Sequence, residues 1–100
     1  MEIVCTKKNN SLRVLPNGKL TSESKGELAK IIAENFAQDI DSLVLDFENV
    51  SFVSSSGLRD ILTLKKNYEN LKIKIVNANQ PVMYVLEITG LSQLFEVSAK

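Results

Sequence analysis

Residues 43–68 constrain the fold of this chain most, because a predicted buried strand is followed closely by a predicted amphipathic helix. The strand is Leu-Val-Leu-Asp-Phe at residues 43–47, a short apolar run of β-prone side chains. The helix carries a set of apolar and long side chains at helical spacing: Leu58, Ile61, Leu62, Lys65 and Tyr68. A strand that leads directly into a helix favours an α/β fold.

Ser54-Ser55-Ser56-Gly57 precedes this helix, where the first backbone N–H groups have no partner within the helix. A serine side chain can accept one of those N–H bonds and cap the helix, which is the usual role of serine at this place. An exposed hydroxyl here is also well set to receive a phosphate, because the amide groups and the helix dipole would face the anion. The four residues alone leave both interpretations open.

The N-terminal part of the chain is predicted to open with an antiparallel hairpin. Its strands are residues 2–6 and 12–15, separated by a polar break, and Pro-Asn-Gly at residues 16–18 closes the second strand. Ser24-Lys25-Gly26-Glu27 has the Ser-x-x-Glu form of a capping box, which predicts the start of the first helix.

The C-terminal part is predicted to contain a strand, a helix and a last strand. In the predicted strand 72–76 the lysines alternate with isoleucines, so one side of this strand should meet water and the other the core. Asn79 is a candidate cap for the third helix, Gly90 suits its C-terminal end, and residues 95–97 predict the last strand.

The predicted order is therefore β, β, α, β, α, β, α, β in a single α/β domain over residues 1–100. Each helix after the hairpin links two parallel strands by a right-handed crossover, which gives a mixed sheet with helices mainly on one face. Loops that leave the carboxyl ends of parallel strands meet at one edge, so residues 17–23 and 49–56 should be neighbours.

Composition excludes several classes of protein. The hundred residues carry 12 basic and 12 acidic side chains, and this zero net charge argues against nucleic-acid binding. No apolar run approaches the length of a membrane span, and the first residues lack the pattern of a signal peptide. The single cysteine, Cys5, cannot form an internal disulfide. We therefore expect a cytoplasmic protein without membrane insertion.

Catalysis is not expected. The chain has no histidine, which excludes Ser-His arrangements and any metal site that contains histidine. Gly57 stands alone rather than in a phosphate-cradling loop, and Lys65 and Lys66 lie two to three turns from the serines. Four carboxylates are scattered over a loop and a strand end, and we predict structural instead of catalytic roles for them: Asp39, Asp41, Asp46 and Glu48. We predict no enzyme activity, no cofactor and no metal.

The strand, loop and helix resemble the signature of STAS domains, the family of anti-sigma factor antagonists and their relatives. The resemblance covers nearly the whole chain and is most specific from Val50 to Leu58. The usual family motif is an aromatic residue, an aliphatic residue, Asp, Ser, then Ser or Ala, Gly and Leu in succession. In the family, the serine after the aspartate is phosphorylated. The resemblance therefore implies that Ser55 is the phosphate acceptor. Ser54 replaces the usual aspartate, and Thr21 replaces the aspartate of the family's Gly-x-Leu-Asp corner.

The resemblance and the expected loop geometry together imply a partner-binding patch. Phe52 could contact a partner or act as a staple under the loop, and Arg59 could pair with a phosphate, pair with a partner carboxylate or simply face water. The predicted members of the patch are Thr21, Ser22, Phe52, Ser54, Ser55, Ser56, Gly57 and Arg59.

The resemblance also implies a partner-switching circuit. The unphosphorylated domain would bind an anti-sigma factor with serine kinase activity, which holds ATP and magnesium, and a phosphatase would reverse phosphorylation of Ser55. In one alternative the chain is a constitutive STAS subunit of a larger assembly, such as a lipid-transport ABC complex, and Ser55 is only a helix cap. In another it binds a small ligand such as a nucleotide, which no feature of the sequence favours.

Overall fold

A six-stranded sheet forms the frame of the computed structural model, which describes residues 1–100. The strands are β1 (Glu2–Lys8), β2 (Ser11–Leu20), β3 (Ser42–Asp46), β4 (Val50–Val53), β5 (Lys72–Ala78) and β6 (Glu96–Ala99). The helices are α1 (Glu27–Asn35), α2 (Ser55–Asn67) and α3 (Gln80–Ile88). Short 3₁₀ helices cover Ser22–Ser24 and Leu91–Gln93.

The sheet is mixed, as the sequence predicts. Its order is β1-β2-β3-β5-β6, and β4 pairs with the far end of β2. β1 and β2 are antiparallel, whereas all the other strand pairs are parallel. The turn between β1 and β2 uses Asn9 with φ 56°, a conformation that asparagine tolerates.

One hydrophobic core lies between the sheet and the helices. Alternate residues of β2, β3 and β5 point into it, and each helix contributes buried side chains to the same cluster, including Leu28, Ile61 and Leu86. The three helices therefore pack over one face of the sheet, which confirms the predicted one-sided cover.

The observed strands differ most from the predicted ones at β4 and β2. Residues 50–53 form β4 rather than loop, with Val50 and Val53 buried and the two residues between them exposed. β2 continues through Pro16 and Gly18 to Leu20 instead of ending at Leu15. Proline is tolerated there because β2 pairs with β3 only as far as Val14 and with β4 only from Gly18, so its second edge is free between them.

The predicted capping box at residues 24–27 is wrong. Ser24 is buried, and its hydroxyl bonds to the backbone N–H and carbonyl of Thr21, each at 3.1 Å. Because this serine serves the 3₁₀ helix, α1 begins only at Glu27 and takes Gly26, with φ 81°, as its N-cap. Asn79 does cap α3, accepting a hydrogen bond from the N–H of Val82 at 2.9 Å.

Asp46 is buried on the sheet face opposite the helices, with only 3% of its surface exposed. Arg13 binds one carboxylate oxygen through Nε at 3.1 Å and Nη2 at 2.6 Å. The other oxygen accepts bonds from Asn77 Nδ2 and from the N–H of Glu48, each at 3.0 Å. Burial alone would raise the pKa of Asp46, but the hydrogen bonds and the guanidinium charge lower this pKa below its ordinary value. Asp46 therefore has the structural role that the sequence predicts.

Asp46→Asn should lower the free energy of unfolding by about 1.5–3 kcal/mol at neutral pH, because hydrogen bonds to a charged group are lost. A carboxyl whose pKa is depressed in the folded state stabilises above its unfolded pKa, and this contribution fades as pH falls through the folded pKa. Urea unfolding at pH about 7 and about 3 should therefore show the wild-type advantage shrinking in acid. Asp41→Asn, at an exposed carboxylate that takes part in no ion pair, is the matched control and should have little effect at either pH. An equal deficit for Asp46→Asn at both pH values would contradict this account.

Candidate functional site

The candidate site lies where β2 and β4 end side by side and α2 begins. The parallel register places Lys19 opposite Phe52 and Leu20 opposite Val53. The N–H of Ser54 then donates to the carbonyl of Leu20 at 2.9 Å. The two loops that the sequence places at one edge of the sheet are therefore neighbours.

The three serines at the start of α2 have different environments. Ser54 is the N-cap, and its hydroxyl accepts a hydrogen bond from the N–H of Gly57 at 3.3 Å. Ser55 is the first residue of α2 and is exposed, while Ser56 is half-buried. The idea that Ser55 is the helix cap is therefore wrong, because Ser54 has that role.

The capping role of Ser54 explains in physical terms how serine can replace the aspartate of the family motif. Aspartate and serine are both strong N-cap residues, because each offers a side-chain oxygen to the first free N–H groups of the helix. Ser54 thus keeps the local structure at the start of α2 that an aspartate would give, while removing one negative charge beside Ser55.

Gly57 allows α2 to start directly against the end of β2. A Cβ atom at this residue would lie 2.4 Å from the carbonyl oxygen and 2.9 Å from the carbonyl carbon of Leu20. Both are backbone atoms of a paired strand, so only a residue without a side chain fits. This contact holds the first turn of α2, including Ser55, at a fixed position relative to the sheet.

Thr21 and Ser22 form the second wall of the site. Thr21 is half-buried and caps the 3₁₀ helix, its hydroxyl accepting from the N–H of Glu23 at 3.2 Å. Ser22 is exposed. Thr21, like Ser54, is a capping residue at a position where the family motif has aspartate.

Asp60, which follows Arg59 in α2, helps to hold this helix against α1. Its carboxylate accepts a hydrogen bond from the N–H of Gly26 at 3.2 Å, which joins α2 to the start of α1. The charge also lies at the N-terminal, positive end of α1. Only the packing of the two helices reveals this contact, because the residues are far apart in the chain.

Phe52 and Arg59 are the large side chains that the site presents to solvent. Phe52 is 44% exposed, whereas its neighbours Val50 and Val53 lie in the core. Arg59 is exposed, follows Ser55 by one helical turn, and takes part in none of the four ion pairs of the chain.

The predicted site residues are thus brought together at one edge. Ser22, Phe52, Ser55 and Arg59 are exposed, Thr21, Ser54 and Ser56 are half-buried, and Gly57 is buried in the contact with β2.

No group of three or more His, Cys, Asp or Glu side chains is placed to hold a metal ion. None of the helices is long and apolar enough to cross a membrane.

The model of the STAS domain family matches residues 2–100, so this chain belongs to the STAS domain family. The crystal structure of an anti-sigma factor antagonist from Mycobacterium paratuberculosis is similar with a TM-score of 0.87 and 18% identity, over 99% of this chain and 86% of that chain. SpoIIAA, an anti-sigma factor antagonist, is similar in its unphosphorylated form with a TM-score of 0.79 and 19% identity, over 99% of this chain and 90% of that chain. At these identities the likeness establishes the fold. No curated protein shows significant sequence similarity to the chain.

Proposed function

We propose that this chain is an anti-sigma factor antagonist that is switched by phosphorylation of Ser55. Unphosphorylated, it binds an anti-sigma factor with serine kinase activity and so releases a sigma factor. The observation that carries the proposal is the position of Ser55, which is exposed at the first turn of α2 and free of the capping role. The similarity to two anti-sigma factor antagonists supports the same function.

The proposed binding surface, which we call the Ser55 patch, combines a rigid base with exposed contacts. Phe52 offers apolar area that a partner can bury, and Arg59 offers a guanidinium for a partner carboxylate. Ser54 and Gly57 fix the start of α2, and the corner at Thr21 and Ser22 lies beside it. The patch consists of Thr21, Ser22, Phe52, Ser54, Ser55, Ser56, Gly57 and Arg59.

The partner supplies the chemistry of the switch. Its kinase site holds ATP and magnesium and transfers the γ-phosphoryl group to the Ser55 oxygen, which loses its proton as ADP forms. A phosphatase hydrolyses the phosphoserine and restores the hydroxyl. The chain itself is proposed to be non-enzymatic and to act in the cytoplasm.

Phosphorylation should break the complex without unfolding the domain. An anion near a helix N-terminus is favourable by about 0.3–1 kcal/mol, so the fold tolerates it. The phosphate nevertheless adds about 1.5 to 2 negative charges at the centre of the interface. An interface built around a neutral hydroxyl would have to desolvate this anion without a partner, at a cost of roughly a few kcal/mol.

Incubation with the anti-sigma factor, ATP and magnesium tests the proposal directly. Intact-mass measurement should show one added phosphate, and peptide mapping should place it on Ser55. Ser55→Ala should gain no phosphate, whereas Ser56→Ala, which removes the adjacent half-buried hydroxyl, should gain one as the wild type does.

An unmodified chain that co-purifies stably with an ABC ATPase would instead support the constitutive subunit. In that assembly the same surface would dock permanently, and no phosphate would be added to Ser55.

A further inference from the structure

A groove of about 560 Å³ lies between α2 and the segment that follows the second 3₁₀ helix. Its lining includes two leucines, three cations and one carboxylate: Leu62, Leu94, Arg59, Lys65, Lys66 and Glu69. We call it the α2–Leu94 groove. Arg59 belongs both to this groove and to the Ser55 patch, so the two surfaces are continuous.

The apolar part of the groove is open to water. Leu94 is 48% exposed although it belongs to a segment whose neighbours Leu91 and Phe95 are buried. Leu62 is half-buried on the facing side of α2. Apolar surface in a concave site flanked by charges marks a place where a partner can bury a side chain.

The charged side chains of the groove carry a net positive charge. Arg59, Lys65 and Lys66 face a single carboxylate, Glu69, in a chain whose net charge is zero. None of these side chains takes part in the four ion pairs of the chain. The Nζ atom of Lys65 lies 5.7 Å from the centre of the Phe95 ring, which keeps this cation at the groove rather than extended into solvent. The groove therefore carries an excess of positive charge, which favours an acidic ligand.

We propose that the α2–Leu94 groove docks an acidic amphipathic helix of a protein partner. An apolar side chain of that helix lies between Leu62 and Leu94, and its carboxylates face Arg59, Lys65 and Lys66. The proposal rests on the proposed function in one respect: the natural partner is the anti-sigma factor, whose contact extends from the Ser55 patch into the groove.

The lining favours a protein segment over a nucleic acid. The groove has no aromatic side chain among its lining residues on which a base could stack. The two leucines suit the regularly spaced apolar side chains of an amphipathic helix.

A synthetic peptide tests the groove apart from the anti-sigma factor. The probe is a capped helical peptide of about 15 residues, with leucines at i and i+4 and glutamates beside them. It is titrated into the isotope-labelled full chain at about 50 mM NaCl, and amide resonances are followed by NMR. Shifts should centre on Leu62, Lys66 and Leu94, and they should diminish at about 300 mM NaCl.

Two charge reversals, one in the peptide and one in the protein, test whether binding depends on charge. A peptide with lysines in place of the glutamates should leave the groove resonances unchanged. Lys66→Glu in the protein, at an exposed residue, should weaken binding of the acidic peptide roughly five- to tenfold. Lys8→Glu on β1 makes the same charge change at an exposed residue outside the groove and should bind the peptide as the wild type does.

Ser55→Asp separates this proposal from the proposed function, because Ser55 does not line the groove. The variant should bind the acidic peptide no more than about twofold more weakly than the wild type, even where it no longer binds the anti-sigma factor. Absence of groove shifts at about 1 mM peptide, or shifts that are equal for the acidic and the lysine peptide, would overturn the groove proposal. So would groove shifts with a DNA oligonucleotide but none with the peptide. Each of these results leaves the Ser55 switch standing.

Discussion

Ser55→Asp is expected to weaken binding to the anti-sigma factor by about tenfold or more, whereas Ser55→Ala should bind as the wild type does. Ser55 is exposed at the end of the sheet where α2 begins, so a partner that covers the Ser55 patch must enclose its side chain. Alanine removes a hydroxyl from this contact, but aspartate adds a charge that the interface would have to desolvate. About 1.4 kcal/mol corresponds to tenfold in affinity, and an unpaired buried charge costs more than that.

Isothermal titration with both variants measures this difference. Ser98→Asp on β6 adds the same charge at an exposed serine outside the patch and should leave the affinity unchanged. Equal affinity of Ser55→Ala and Ser55→Asp for the natural partner would contradict the switch. Weakened binding by Ser98→Asp as well would assign the effect to overall charge instead of the site.

Gly57→Ala is expected to lower the free energy of unfolding by about 1–3 kcal/mol, although glycine to alanine within a helix ordinarily stabilises by about 0.5–1 kcal/mol. The added Cβ would meet the carbonyl oxygen of Leu20 at 2.4 Å, far inside normal contact distance. Leu20 cannot yield easily, because it pairs with Val53 and its carbonyl accepts the N–H of Ser54. The overpacking cost should therefore exceed the gain in helix propensity.

Thermal unfolding is the measurement for Gly57→Ala, and each 1 kcal/mol corresponds to about 4–8 °C for a domain of this size. Ser56→Ala, one residue earlier in α2, also gains helix propensity, though less than glycine to alanine, and makes no such contact, so it should unfold at or above the wild-type temperature. A Gly57→Ala protein at least as stable as the wild type would show that the start of α2 is not held against β2.

The sequence predicts the architecture well because the buried segments have clear periods. Leu43 and Leu45 of β3, and Ile73 and Ile75 of β5, alternate with more polar or exposed side chains, so the core face follows from the residues alone.

β4 could not be predicted because its pattern is not that of an isolated strand. Val50 and Val53 are buried with two exposed residues between them, which matches neither a period of two nor a long apolar run. The strand exists because β2 continues past Pro16 and offers a free edge at Gly18 and Leu20. Its existence depends on the sheet and not on its own four residues.

The sequence predicts that residues 17–23 and 49–56 are neighbours, but it does not predict the separate roles of the three serines. Three adjacent serines all suit a helix start, and only the backbone shows that Ser54 caps α2 and that Ser55 is free. The contact of Asp60 with Gly26 and the groove beneath Leu94 depend on residues distant in the chain. No local pattern could indicate them.

The phosphorylation switch is tested most directly by an NMR titration of the isotope-labelled chain, phosphorylated on Ser55, with the unlabelled anti-sigma factor. We expect a well-dispersed spectrum, which shows that the domain is folded, and no change when the partner is added. The unphosphorylated chain should lose or shift the resonances of Phe52, Ser55 and Arg59 under the same conditions. A phosphorylated chain whose resonances change as fully as those of the unphosphorylated chain would contradict the switch.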